Sequence, residues 1–235
     1  MDNWPELVKF LRTIPSLASL CEDEMERLRP YLRQRTLEKG ENVYHQGQGT
    51  DYLYFIRQGR IKVSQTANGR NVIVGFYGTS ELLGCCGLVG DVCYPCCAQA
   101  IEKATVVFIS REEFDRLLSN VPTVAAKLLS QMVRRLREAH CKMKSLALEP
   151  VEERVIAVLL ELGEKFGDEQ DGKVTLPAHI TREQISEMAG TTIETTSRVI
   201  TKLRQAGLVD CPNRCTILDS ELLGNIVEKP GVRQM

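Results

Sequence analysis

Between residues 121 and 146 the apolar positions fall into two interleaved series, Ala125, Leu129, Met132, Leu136, Ala139, Met143 and Leu146. Their steps alternate four and three. On a helix that spacing makes one narrow apolar stripe, suited to pairing with a copy of itself. The pattern therefore predicts a long dimerisation helix with Leu129, Met132, Leu136, Ala139 and Met143 at the interface. Arg134, Arg135, Arg137, Glu138, Lys142 and Lys144 lie between the seam positions and suit a solvated flank. The competing reading is an ordinary amphipathic helix packed on its own domain.

Other periodicities flank this helix. Residues 4–12 and 22–32 read as short helices on either side of Pro15. Over 36–109, short runs of valine, isoleucine and aromatics alternate with turn signals such as Lys39-Gly40, Gln58-Gly59 and Tyr77-Gly78. Such spacing predicts an all-β roll or barrel. Asn68-Gly69, between Ile61-Lys62-Val63 and Val72-Ile73-Val74, is the strongest hairpin signal. A short helix over 110–118 follows, with Ser110 as its cap and Glu113 three residues on. Pro150 opens another helix through residue 162, and 163–172 reads as a polar linker. The expected fold class is α+β: a jelly-roll-like sensor over 1–120, the dimer helix over 121–148, and a helical domain over 149–235.

Composition narrows this picture. The chain has 235 residues, enough for two cores, and its formal net charge of −1 offers no global basic field. Any nucleic-acid surface must be local. No apolar run of about 18 residues is present, so no membrane span is expected. Residues 1–11 lack the basic-then-apolar layout of a secretory signal, which predicts a cytoplasmic protein. In that compartment the nine cysteines are not expected to form structural disulfides.

The stretch ITREQISEMAGTTIETTSRVITKLRQAGL, residues 180–208, carries the clearest chemistry. Thr181 and Gln184 form a capping box, and Ile185 and Met188 are buried positions. Gly190 breaks the first helix, Thr191 and Thr192 can cap a second, and Val199, Ile200 and Leu203 give it a buried face. Two short helices about a glycine turn predict a helix-turn-helix whose second helix enters the major groove. Glu194, Ser197, Arg198 and Thr201 share that helix's exposed face. A carboxylate accepts from cytosine N4, and arginine bridges guanine O6 and N7. Lys202, Arg204 and Arg182 are candidate phosphate contacts. Val209 and Thr216-Ile217-Leu218, on either side of Cys211-Pro-Asn-Arg-Cys215, look like the hairpin of a winged version.

This order of parts, over about residues 14–220, resembles the CRP/FNR transcription regulators. Ile193-Glu194-x-x-Ser197-Arg198 is similar to the recognition helix of the anaerobic FNR and DNR branch. The resemblance implies a homodimer on double-stranded DNA, reading a TTGAT-N4-ATCAA-like palindrome, with RNA polymerase as a further partner. In cyclic-nucleotide binders the segment matching GCCGLVGDVCYPCCAQA carries an acid for the ribose, an arginine for the phosphate and a hydroxyl. Here Cys85, Pro95 and Cys96 stand at those positions. An unpaired buried phosphate is costly, so cyclic AMP is not expected as the effector. The chain also departs from an oxygen-sensing FNR. Its N-terminal region offers only Cys21, and Val107 stands where the roll cysteine belongs.

Five cysteines instead crowd into about a dozen residues: Cys85, Cys86, Cys93, Cys96 and Cys97. Cys93-Tyr-Pro-Cys96 has the gap at which two thiolates reach one metal, so an iron–sulfur cluster is the first candidate cofactor. A thiol–disulfide switch, zinc, copper(I) and compact core packing without any cofactor remain open. Haem on His45 or His140 is a further alternative. Cys21, Cys141, Cys211 and Cys215 are read as structural or incidental. The resemblance directs Cys85 and Cys96 toward the former nucleotide pocket. A thiol oxidoreductase would place its Cys-x-x-Cys at a helix start in a βαβ unit. No helix pattern follows Cys96, so an enzyme is not expected.

Overall fold

In the computed structural model of the chain, residues 4–85, 93–170, 173–177, 180–211 and 216–226 are described. Contacts divide the chain into two units, Met1–Arg135 and Leu136–Met235, with the boundary inside the long helix.

The first unit begins with helices α1 (Trp4–Thr13) and α2 (Glu22–Leu28) and a 3₁₀ turn at Arg29–Tyr31. Eight strands follow: β1 (Arg33–Leu37), β2 (Asn42–Tyr44), β3 (Tyr52–Gln58), β4 (Ile61–Ala67), β5 (Arg70–Tyr77), β6 (Leu82–Leu83), β7 (Cys97–Ala100) and β8 (Ala104–Ser110). They pair antiparallel in two four-stranded sheets, β1-β8-β3-β6 and β2-β7-β4-β5, the expected roll. The β4–β5 hairpin turns at Asn68 and Gly69, both at positive φ, as a two-residue primed turn demands. Helix α3 (Arg111–Asn120) is capped as expected, with Ser110 accepting from the Glu113 amide.

Strand alternation explains why these strands read as nearly continuous apolar runs. In β3, Leu53 and Phe55 face one core while Tyr54 and Ile56 face another. The first core joins β3, β6 and β8 to α1, α2, α3 and the start of α4 (Pro122–Leu148) through Leu11, Met25, Phe114, Val124 and Leu128. The second fills the roll with Tyr44, Tyr54, Ile61, Ala98, Val106 and Tyr94.

The long helix forms over the expected span. Val124 and Leu128 are buried, and Met132 packs partly against the first core. The seam behind them is open: Leu129 is 65% exposed, Leu136 56% and Met143 58%, and Ala139 is exposed as well.

The second unit comprises the end of α4, then α5 (Val151–Phe166), β9 (Asp168–Gln170), β10 (Lys173–Leu176), α6 (Arg182–Ala189), α7 (Ile193–Gln205), β11 (Val209–Asp210), β12 (Thr216–Asp219) and α8 (Ser220–Ile226). The polar linker expected from residue 163 is not one. Helix α5 runs on to Phe166, and two strands follow it in a sheet ordered β11-β12-β10-β9. Gly163 lies inside the helix because Val174 Cγ1 and Leu218 Cδ1 would sit 3.2 and 3.5 Å from a Cβ there. The missing side chain lets the sheet approach α5. Among the described residues no helix is long and apolar enough to cross a membrane.

Candidate nucleic-acid interface and cysteine region

The two helices and their turn are built by local signals. Thr181 caps α6 by accepting from the Gln184 amide, and the Gln184 side chain returns to the Thr181 amide. Gly190 ends α6 in the left-handed region at φ 62°, where a side chain is disfavoured. Thr192, and not Thr191, caps α7 by accepting from the Thr195 amide. Ile185 and Met188 of α6 and Val199, Ile200 and Leu203 of α7 are buried, joined by Thr196.

The opposite face of α7 presents the expected row. Glu194, Arg198 and Thr201 are exposed and Ser197 is half-buried. Ile193 is 44% exposed at the first position, an apolar surface beside the acid. The Glu194 carboxyl is held below its usual range by its own backbone amide, then by the Thr192 side chain and the Arg198 guanidinium. It is therefore a carboxylate acceptor at neutral pH. Arg198 Nη2 donates to Thr195 Oγ1 at 3.3 Å, which steadies the guanidinium on the helix surface. Thr201 gives its hydroxyl proton to the Ser197 carbonyl at 2.8 Å. Arg182 is exposed at the start of α6. Lys202 pairs with Glu152 of α5 at 2.8 Å, and Arg204 with Asp210 at 3.8 Å. Strands β11 and β12 pair Val209 with Leu218, the base of the expected wing, while residues 212–215 lie outside the described set.

The cysteines have separate surroundings. Cys96 packs partly against the roll's interior, where burial and then neighbouring Cys97 push its thiol pKa up. Cys97 Sγ lies 3.9 Å from His45 Nδ1, and Asn42 Nδ2 lies 3.3 Å from the same ring nitrogen. Cys93 is exposed and forms a bridge with Gly49. Cys85 packs against the helical core instead of the roll interior, and its sulfur accepts from Arg135 Nη1 at 3.1 Å. Among the described residues, no three His, Cys, Asp or Glu side chains gather as metal ligands; Cys86 is outside that set. At the roll's centre Tyr94 stacks on Tyr44 at 3.9 Å and donates its hydroxyl proton to the Tyr52 carbonyl at 2.6 Å.

Residues 34–121 match the cyclic nucleotide-binding domain family, and residues 153–226 match the Crp-like helix-turn-helix domain family. The transcriptional activator protein Anr of Pseudomonas aeruginosa is 31% identical, with 87% of each chain covered. The chain belongs to the CRP/FNR family of transcription regulators. The cyclic AMP receptor protein of Thermus thermophilus is 28% identical, over 90% of this chain and 96% of that protein. The solved structure of FixK2 from Bradyrhizobium japonicum superposes with a TM-score of 0.72 at 24% identity, covering 83% of this chain and 97% of that one.

Membership in the CRP/FNR family makes this a DNA-binding transcription regulator and not an enzyme. The Thr181 cap, the Gly190 break and the buried faces of its helix-turn-helix were legible in the sequence. Two features of this regulator were not. Arg135, expected on a solvated flank, reaches Cys85, donates to the Leu82 carbonyl at 2.6 Å and lies over the Tyr77 ring at 5.2 Å. Glu152, the partner of Lys202, is fifty residues away in sequence and carries no local signal of that role.

Proposed function

We propose that the chain acts in the cytoplasm as a homodimeric regulator, reading a TTGAT-N4-ATCAA-like palindrome and responding to redox change, oxygen or nitric oxide through its cysteine group. The surface row of exposed Glu194 and Arg198 with half-buried Ser197 on a firmly capped α7 carries the reading. An ionised Glu194 suits cytosine N4, and Arg198 suits the O6 and N7 of guanine, so one G·C pair per half-site is addressed from both strands. Ile193 adds an apolar surface for a thymine methyl, Ser197 and Thr201 are permissive neighbours, and Arg182 and Lys202 serve the phosphates. The open seam at Leu129, Leu136, Ala139 and Met143, with Met132 at its edge, supports a two-fold dimer matching the palindrome. RNA polymerase is the further partner in this reading.

The sensor is Cys85, Cys86, Cys93, Cys96 and Cys97. Cyclic AMP is not its effector. Cys85, Pro95 and Cys96 replace the groups that would hold the nucleotide, and Tyr94 is buried in the roll beside them. An iron–sulfur cluster would supply redox and nitric-oxide chemistry to soft thiolate donors. The described cysteines do not converge as such a site requires, so no step is derived through it. The contact of Arg135 with Cys85 favours thiol chemistry as a second reading, because oxidation of that sulfur alters a contact made directly by α4. Gel shifts on the palindrome and on a scrambled duplex, with and without oxidant, test the whole. They are run beside the absorption spectrum and the iron, sulfide, zinc and haem content of anaerobically purified protein. Iron with sulfide selects the cluster, and colourless iron-free protein that still responds selects the thiol switch. Equal binding to both duplexes refutes the DNA assignment, and no response to oxidant or nitric oxide refutes the sensor.

A further inference from the structure

Arg154, in the first turn of α5, holds two backbone carbonyls that belong to different elements. Its Nη1 donates to the Leu146 carbonyl at 3.0 Å and its Nη2 to the Gly190 carbonyl at 3.4 Å. Leu146 lies in the last turn of α4, where carbonyls have no partner within the helix. Gly190 is the left-handed residue of the helix-turn-helix turn, three positions before α7 begins. The two sites also touch directly, since the Leu146 Cδ2 atom lies 2.7 Å from where a Cβ on residue 190 would stand. Only a planar fork of donors serves two acceptors in fixed relation, and a lysine ammonium does not reproduce it. The Nε of Arg154 is buried without a hydrogen-bond partner. That atom contributes no attachment, so the two terminal nitrogens are the ones that bind.

We infer that Arg154 is a positioning residue for DNA reading: it locks the turn preceding α7 to the end of α4 and thereby sets the half-site spacing the dimer accepts. The proposal rests on the palindrome reading. All three residues belong to the second unit, which holds both the later half of the seam and the reading helix. In a two-fold dimer, the separation of the two α7 helices follows from how each is fixed to its own α4. Glu152, two residues before Arg154, ties α5 to Lys202 within α7, so the same helix grips the reader at a second place. That ion pair is exposed and contributes little rigidity. The Arg154 fork holds two backbone carbonyls with one planar group, so it carries the larger share.

The test compares full-length wild type with Arg154→Met and Arg154→Lys. Fluorescence anisotropy at one salt concentration measures binding to TTGAT-N4-ATCAA, to duplexes with N3 and N5 spacers, and to a single half-site. Wild type is expected to prefer N4. In Arg154→Met, which removes both hydrogen bonds, affinity for N4 falls about tenfold and the spacer preference shrinks to within about threefold. Single half-site binding and the penalty for replacing its guanine stay at the wild-type level. Arg154→Lys keeps the charge without the fork and falls between the two. It also keeps the test decisive if melting shows Arg154→Met to be unfolded. Unchanged spacer preference in the folded variant overturns the proposal, and so does an equal loss on all duplexes including the half-site. Wild type that does not distinguish the palindrome from scrambled DNA overturns the underlying function instead, and the wild-type control alone reveals that outcome.

Discussion

Arg135 ties the long helix to Cys85: its Nη1 donates to the cysteine sulfur at 3.1 Å while its Nη2 holds the Leu82 carbonyl at 2.6 Å. One side chain of α4 thus holds both the backbone of β6 and the first of the five clustered cysteines. Chemistry at that sulfur is coupled to the helix without any intermediate residue. Arg135→Met keeps the apolar stem and removes both donors. It is expected to destabilise the first unit by about 1–3 kcal/mol, the cost of losing hydrogen bonds to a charged group. The variant should still bind the palindrome, while its response to oxidant becomes much weaker. A full oxidant response in a folded Arg135→Met protein would break the link between Cys85 and α4.

Substitutions on α7 should separate specificity from general affinity if it reads DNA as proposed. Arg198→Ala and Glu194→Ala should each cost about 1–3 kcal/mol on TTGAT-N4-ATCAA and little on scrambled DNA. Lys202→Ala should weaken all sequences alike and reduce the salt slope by about 0.9 for each phosphate it no longer neutralises. Glu152→Gln has the opposite expected effect, because it frees Lys202 from its 2.8 Å partner and tightens binding to every duplex. Palindrome binding unchanged in Arg198→Ala would remove α7 from the reading role.

How much of this was legible depends on the range of the interactions. The caps at Thr181, Thr192 and Ser110, the break at Gly190 and the turn at Asn68-Gly69 are satisfied within a few residues, so the sequence specifies them on its own. Gly163 misled because a glycine among polar residues resembles a linker, whereas its use is to admit Val174 and Leu218 from a sheet formed later in the chain. Arg135 was misplaced for a related reason. A heptad defines the stripe but does not say which flank meets the roll. The cysteine group is harder still. Proximity in sequence gathers five thiols, yet packing sets partly buried Cys96 against the roll's core and Cys85 against the helical one.

Cys96 gives a pH prediction with a definite sign. Burial, and secondarily Cys97, push its thiol pKa above the ordinary value, so the neutral form is favoured in the folded protein. The associated stability is present below the unfolded-state value and is lost as pH rises through the raised folded value. At pH 7–8 iodoacetamide should therefore modify exposed Cys93 and half-exposed Cys97 before Cys96, and Cys96 should react appreciably only in more alkaline buffer. Peptide mass spectrometry over a pH series reads this directly. Cys96 reacting as fast as Cys97 at neutral pH would contradict the burial argument.

The long helix α4 allows a test that distinguishes an interface from a core. Leu136 is 56% exposed in the single chain, whereas Leu128, two turns earlier on the same helix, is 5% exposed and packed against the first core. A charge at the two positions should act in different ways. Leu136→Asp costs the single chain little, since its side chain already meets water. In a two-fold pair the same substitution removes about 1.5–3 kcal/mol of burial from each copy and sets two carboxylates near one another across the seam. Sedimentation should then show mostly monomer with native helix content and a normal melting curve at low concentration, and palindrome binding should be lost. Leu128→Asp buries an unpaired charge, so it should melt the first unit outright. If Leu136→Asp remains a stable dimer, the open stripe on α4 is not the surface through which two copies meet.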